Sequence, residues 1–101
     1  MSITHEQACE IVYRTVQPTW THGTFCIDDR MIAETDDYYL VVIGAREWLI
    51  NGDDSFLTFG GRATVVYKQS GEIGRLMPFT VNDDPTLRRR ENPNPRVLLQ
   101  T

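Results

Sequence analysis

The feature that most constrains the fold is a change of hydrophobic periodicity at Pro18. Before Pro18, apolar residues recur on one helical face, at Ala8, Ile11, Val12 and Val16. This spacing is typical of a helix that lies on an apolar surface. The preceding residues, Thr4-His5-Glu6-Gln7, fit a capping box, in which the Thr and Gln side chains satisfy free backbone N–H groups. The sequence therefore predicts a helix that begins after Thr4 and is stopped by Pro18.

Beyond Pro18, β-branched and aromatic residues dominate and turn residues recur every few positions, which is typical of strands. We expect a first strand over Phe25–Glu34 and a turn at Asp36-Asp37. Residues 38–43 are apolar on both faces, as in a central strand that is covered on both sides. Gly44 is expected to end this strand. This part of the chain therefore predicts two strands joined by a tight turn.

Three further segments complete the predicted fold. Residues 45–51 indicate a short helix capped by Gly52. Residues 62–68 and 72–77 are expected to pair as antiparallel strands across a short loop that contains Gly71. The predicted fold class is α+β: an N-terminal helix packed on a meandering antiparallel sheet of about four strands.

The composition changes towards the C-terminus. Four of the five prolines lie from Pro78 onward, which argues against a helix or a central strand there. Asp84-Pro85 is nevertheless suited to open a short helix through Arg88. We therefore predict a single domain over residues 1–81 and a partly irregular tail over residues 82–101. Residues 88–90, three arginines, are interpreted as a solvated part of that tail, with nucleic-acid or anionic-membrane binding as the alternative.

The charge balance limits the partners. The chain has 14 acidic and 10 basic side chains, for a net charge of −4, which does not supply the basic face that nucleic-acid binding needs. An acidic total favours basic protein partners instead. Every Asp belongs to an adjacent pair, and we interpret the pairs mainly as turn formers. The pairs are Asp28-Asp29, Asp36-Asp37, Asp53-Asp54 and Asp83-Asp84.

No targeting segment is visible in the sequence. The N-terminus lacks a basic stretch followed by an apolar run, and the longest apolar run is far shorter than the roughly 20 residues that cross a bilayer. We therefore expect a cytoplasmic protein that does not bind membranes. In a reducing compartment, Cys9 and Cys26 are expected to be free, buried thiols.

Motifs in residues 34–73 resemble the YrhB-like immunity protein 35 family, and the match covers roughly residues 5–75. The resemblance is carried by Glu34-Thr35-Asp36-Asp37 before an aromatic-led strand, by residues 45–53 ending in Gly52-Asp53, by Gly60-Gly61, and by a hydrophobic strand closing in Ser70-Gly71-Glu72. The chain departs from the family where Gly60-Gly61-Arg62-Ala63 replaces a Gly-x-Gly-Pro-like run. The residues after Met77 have no clear counterpart in the family.

The resemblance implies an antidote that binds and neutralises a toxin delivered between competing bacteria, without catalysis and without a cofactor. One relative is described as chaperone-like, so a chaperone-like or scaffold dimer that uses the exposed face of the residue 38–43 strand is the alternative. Complementary charge and exposed aromatic rings beside acids are typical of docking surfaces. The candidate toxin-binding residues are Glu34, Asp36, Asp37, Asp53, Asp54, Phe56 and Phe59.

The two histidines and two cysteines are the residues that a catalytic or metal site would need. No nucleophile turn frames His5 or His22, so we expect no Cys–His catalysis. His5 and Cys9 are four positions apart, as are His22 and Cys26. By residue type, these four side chains could form a Cys₂His₂ zinc site. In a strand, however, the second pair would lie some 13 Å apart at ~3.3 Å per residue. We therefore expect a capped helix and buried thiols, with no bound metal.

Overall fold

The computed structural model describes residues 2–57 and 61–96. In these two ranges the helices are α1 (His5–Val16), α2 (Arg46–Leu49) and α3 (Pro78–Asn82). The strands are β1 (Phe25–Glu34), β2 (Tyr38–Ala45), β3 (Ala63–Tyr67), β4 (Ile73–Leu76) and β5 (Arg88–Glu91). Single 3₁₀ turns span Gln17–Thr19 and Asp54–Phe56. Both turns connect longer elements and carry no buried residue.

The capping box at the start of α1 is confirmed. The Thr4 hydroxyl accepts from the Gln7 backbone N–H (3.1 Å), and the Thr4 N–H donates to Oε1 of Gln7 (2.9 Å). The helix ends at Val16, and Pro18 lies in the 3₁₀ turn that follows. Over residues 2–57 and 61–96, no helix has both the length and the apolar character needed to cross a membrane.

The strands form one antiparallel sheet in the order β4-β3-β2-β1-β5. The α+β class and the antiparallel sheet are confirmed, and β2 is the central strand as expected. The strand continues through Gly44 to Ala45 instead of ending at Gly44. The expected hairpin also forms, with Val66 opposite Ile73 and Gly71 at a φ of 73° in its loop.

The C-terminal region is more ordered than the sequence predicted. Pro78 was expected to exclude a helix, but it occupies the first turn of α3. The backbone N–H groups of a first turn have no acceptor within the helix, so a proline there costs no hydrogen bond. The short helix expected from Asp84 through Arg88 is wrong. The Asp84 carboxylate accepts from both the N–H and the hydroxyl of Thr86, which makes a tight turn and leads the chain into β5.

Strand β5 extends the sheet beyond the expected four strands. Its residues pair with the second half of β1, with Arg88 opposite Glu34 and Glu91 opposite Met31. All four of its residues are exposed and charged. Charged residues are common on edge strands because they discourage pairing with other chains. The arginine run is therefore a sheet edge, and part of the predicted tail belongs to the sheet.

Strand β1 carries a wide bulge. Asp28 lies opposite Val42 and Ala33 lies opposite Leu40, so residues 29–32 face a single position of β2. Asp28-Asp29 is therefore an exception to the interpretation of the Asp pairs mainly as turn formers. The bulge tolerates them because the Asp28 carboxylate binds Arg30, at 2.6 and 2.8 Å.

The sheet has two differently covered faces. The face under α1, here called the helix face, packs Ala8 and Val12 of the helix against strand residues of β1, β2 and β3. The opposite face, here called the far face, is covered by α3 and by Leu87. The buried members of the helix-face core are Ala8, Val12, Ile27, Ile32, Tyr39, Val41 and Val66. Those of the far-face core are Tyr38, Val65 and Val81.

Candidate functional site

The candidate binding residues separate into two groups at opposite ends of the sheet. Asp36 and Asp37 lie in the turn from β1 to β2. Asp53 follows α2, and its N–H donates to the carbonyl of Glu47 (2.8 Å), which places it near the other end of β2. The eight residues of β2 span about 23 Å between these ends. The candidate residues therefore do not converge on one docking face.

Glu34 is the centre of an ion-pair cluster and is not an exposed docking charge. Its Oε1 accepts from Nζ of Lys68 (2.8 Å) and from Nη2 of Arg88 (3.2 Å), and its Oε2 accepts from Nη1 of Arg90. Its side chain is 8% exposed. The Lys68 ammonium also lies 4.9 Å from the centre of the Tyr39 ring. Three cations that lie far from Glu34 in the sequence therefore meet at its buried carboxylate.

The electrostatics of this cluster keep Glu34 ionised. Burial raises the pKa of Glu34, but the hydrogen bonds from Lys68 and Arg90 and their positive charges outweigh burial and hold the pKa at about 2. Asp36 is exposed, and its carboxylate binds Nη1 of Arg88 (3.0 Å). Asp37 accepts through its backbone carbonyl from the Lys68 N–H (2.9 Å). Glu34 and Asp36 at this end are thus both paired with cations.

The opposite end, here called the α2 end, is defined by Glu47, Asp53, Asp54 and Phe56. The Glu47 carboxylate accepts from the Thr24 N–H (2.9 Å), and the Asp53 carboxylate accepts from the N–H (3.0 Å) and hydroxyl (2.7 Å) of Ser55. These hydrogen bonds lower the pKa of both acids. The donors to the Glu47 and Asp53 carboxylates are neutral, so these hydrogen bonds do not cancel the negative charge of the two acids.

Phe56 is the aromatic residue of the α2 end. It is half-buried, and its ring centre lies 5.8 Å from that of His22, whose Nε2 donates to the Phe56 carbonyl (3.1 Å). A Cβ at Gly23 would lie 2.7 Å from the Phe56 ring, and Gly23 has a φ of 74°, so this position requires glycine. Phe56, which was expected to be exposed, is therefore only partly exposed, and Phe59 lies outside the described residues.

A groove of about 530 Å³ lies between α1, the bulge of β1 and residues 92–96. Its inner wall includes His5, Cys9 and Asp29. The segment 92–96 is tied to the bulge, because Nδ2 of Asn92 donates to the Asp29 carbonyl (2.7 Å) and the Arg96 N–H donates to the Asp29 carboxylate (3.0 Å). Sequence reasoning missed this groove, since its walls come from opposite ends of the chain.

The groove does not have the chemistry of a thiol nucleophile. Cys9 Sγ lies 3.7 Å from Nε2 of His5. Burial, together with the charge of Asp29, raises the pKa of the Cys9 thiol to about 12, and burial lowers the pKa of His5. Near neutral pH both groups are therefore uncharged, whereas a nucleophilic cysteine needs a stabilised thiolate.

The two His–Cys pairs do not form one site. His5 packs edge-on against Tyr39, with ring centres 5.6 Å apart, on the helix face. Cys26 lies opposite Gly44, one position from Ile27, so its side chain is on the far face. Both thiols are free. Among the residues that the structure describes, no three His, Cys, Asp or Glu side chains are grouped closely enough to hold a metal ion.

No known protein family matches the chain, and no characterised protein or solved structure was found to be similar to it. The resemblance of residues 34–73 to an immunity-protein family stays a prediction.

Proposed function

We propose that this protein is a non-enzymatic immunity protein that binds a bacterial toxin and blocks its surface. The α2 end carries this proposal. Glu47, Asp53 and Asp54 lie there with Phe56, and none of the three acids forms an ion pair with another residue that the structure describes. Acids around an aromatic ring are typical of a surface that receives a basic partner. The family resemblance of residues 34–73 supports the same function.

Occlusion is a suitable mechanism for such a surface. Complementary charge speeds the encounter with a basic partner, and a packed aromatic ring adds contact area after docking. Phe56 is held by His22 and Gly23, so little of its freedom is lost on binding. The protein neutralises the toxin by remaining bound and needs no reactive group of its own.

The first experiment tests protection. The toxin encoded beside this gene is expressed with and without the protein, and growth is measured. We expect the intact protein to restore growth. Failure to protect against any adjacent toxin would contradict the proposed function.

The second experiment tests the docking end by charge reversal. Asp54→Lys should slow association with that toxin about tenfold at low salt and much less at high salt, since exposed charges are screened. Glu72→Lys is the matched control, because Glu72 is exposed in the hairpin at the other end of the sheet. Equal association rates for both variants, measured by surface plasmon resonance, would remove the α2 end from the interface.

A chaperone-like function is the second candidate. It needs an exposed apolar strand, but Tyr38, Tyr39 and Val41 of β2 are buried. Val42 is the one exposed residue of β2. The test is aggregation of an unrelated unfolding protein with and without equimolar amounts of this chain. Suppression of aggregation would favour this second function over toxin binding.

A further inference from the structure

The layer on the far face of the sheet is incomplete. Val81 of α3 packs on Tyr38 and Val65, and Leu87 packs beside them, so the cover extends over β2, β3 and β4. In β1 and β2, the far-face residues Met31 and Val42 nevertheless stay 47% and 43% exposed, whereas Cys26 and Ala33 are buried. Met31 lies opposite Glu91 and Val42 lies opposite Asp28, which places this uncovered strip between β2 and β5.

The other exposed apolar side chains lie mostly on the same side. Phe79 in α3 is 62% exposed, and Met77 immediately precedes that helix. Among the exposed large apolar residues in the described part of the chain, only Tyr13 belongs to α1 and the opposite side. Two exposed apolar side chains of the sheet, Met31 and Val42, and the exposed ring of Phe79 thus lie on the same side of the molecule.

The charges at the edges of this surface are complementary as well. Arg89 pairs with Ala33, which lies opposite Leu40 of the far-face core, so Arg89 faces the uncovered strip. Asp83 is exposed at the C-terminal end of α3. Within the described ranges, neither side chain forms an ion pair. Arg89 is therefore a cation without an ion pair at the edge of the strip, where Glu91 is also exposed, and Asp83 is an anion without an ion pair at the end of α3.

We propose that the strip is covered by a second copy of this chain, with α3 of each copy lying over Met31 and Val42 of the other. A two-fold interface uses the same patch on both subunits, so one patch has to carry both complementary halves. This patch does so, because Phe79 fits over the strip of the partner copy while Asp83 meets its Arg89. The homodimer completes the second layer of the sheet on both copies.

The dimer forms independently of toxin docking. The contact involves a strip two strands wide and one short helix, so it belongs to the class of small, weak interfaces. We expect association in the micromolar range. The α2 end carries none of the contact residues, so failure of either proposal leaves the other standing.

The test is sedimentation velocity from low micromolar to millimolar concentration. The intact protein should approach twice the 11.6 kDa mass of the chain. Phe79→Ser should weaken dimerisation about tenfold or more without changing the thermal midpoint of the monomer, because the ring is mostly exposed. A tenfold loss is also expected for Arg89→Asp alone and for Asp83→Arg alone. The double variant should recover most of the affinity.

The matched control is Arg75→Asp, an exposed β4 residue that lies opposite Thr64, one position from the far-face core residue Val65. It should leave the dimer unchanged. A chain that stays monomeric throughout would overturn the proposal. A dimer that Phe79→Ser does not weaken, or a double variant no better than the single ones, would also exclude this pairing.

Discussion

At the scale of single residues, the Glu34 cluster is the most consequential arrangement in the molecule. The carboxylate is buried, Lys68 is nearly so, and Arg88 and Arg90 are half exposed. Burying an ion pair costs solvation, and this cost is recovered only while all partners remain. The cluster joins β1, β5 and the residue after β3. Its main effect is therefore to fix which strands are neighbours.

Replacing Glu34 by Gln should destabilise the protein by about 2–4 kcal/mol, because Lys68 would be left as an unpaired buried cation. Asp36→Asn is the control, since it loses only an exposed ion pair with Arg88 and should cost less than about 1 kcal/mol. Urea unfolding at neutral pH measures both. Similar values for the two variants would show that the buried charge has no special role.

The low pKa of Glu34 also predicts an acid response. The folded pKa of about 2 lies below the ordinary value of 4.5, so the stabilisation is complete above about pH 5 and is lost as the pH falls towards 2. The free energy of unfolding should therefore drop over this window. In Glu34→Gln the free energy of unfolding should fall less steeply with decreasing pH, because unfolding of this variant takes up about one proton fewer. Parallel curves for the two proteins would contradict this assignment.

Cys9 offers a second prediction at this scale. With a pKa of about 12 and a half-buried position, the thiol should react with a disulfide reagent at pH 8 at least about a hundredfold more slowly than in the unfolded chain. The Cys26→Ser variant retains Cys9 as its one thiol. Its labelling rate is measured with and without denaturant. Rapid labelling of the folded variant would mean that Cys9 is activated, and would reopen the enzymatic interpretation of the groove.

At the scale of elements, the capping box at the start of α1 should contribute measurably to stability. Thr4→Ala removes the hydroxyl that accepts from Gln7 and should lower the free energy of unfolding by about 1 kcal/mol. Thr4→Ser keeps an accepting oxygen and should stay within a few tenths of a kcal/mol of the intact protein. Chemical denaturation of the two variants decides the matter. Equal losses would point to the methyl group instead of the cap.

Local signals also explain how much of the fold the sequence predicts. The bounds of β1 and the start of α1 follow from period and capping, which are read from neighbouring residues. Strand β5 could not be predicted this way, since its four charged residues resemble a solvated run and become a strand only beside β1. The Glu34 cluster escaped prediction for the same reason. Its hydrogen bonds join residues 34, 54 and 56 positions apart.

At the scale of the whole molecule, the five-stranded sheet makes the C-terminal residues part of the fold. A chain of residues 1–81 would lack β5 and Leu87 and would leave Glu34 with Lys68 alone. We expect its thermal midpoint to fall by at least about 10 °C. Leu87→Ala in the full chain is the control and should fall less, since the strand is retained. A 1–81 chain as stable as the full one would instead confirm a domain boundary at residue 81.

The position of β5 in the chain has a consequence for biosynthesis. During translation, β1 to β4 leave the ribosome first and are able to pair as a meander before Arg88 and Arg90 exist. Until then β1 is an open edge next to a carboxylate that has met one of its three cations. Nascent chains with unpaired edges are prone to aggregation. The edge of β1 is thus closed only after β5 has been made, later than the four strands of the meander.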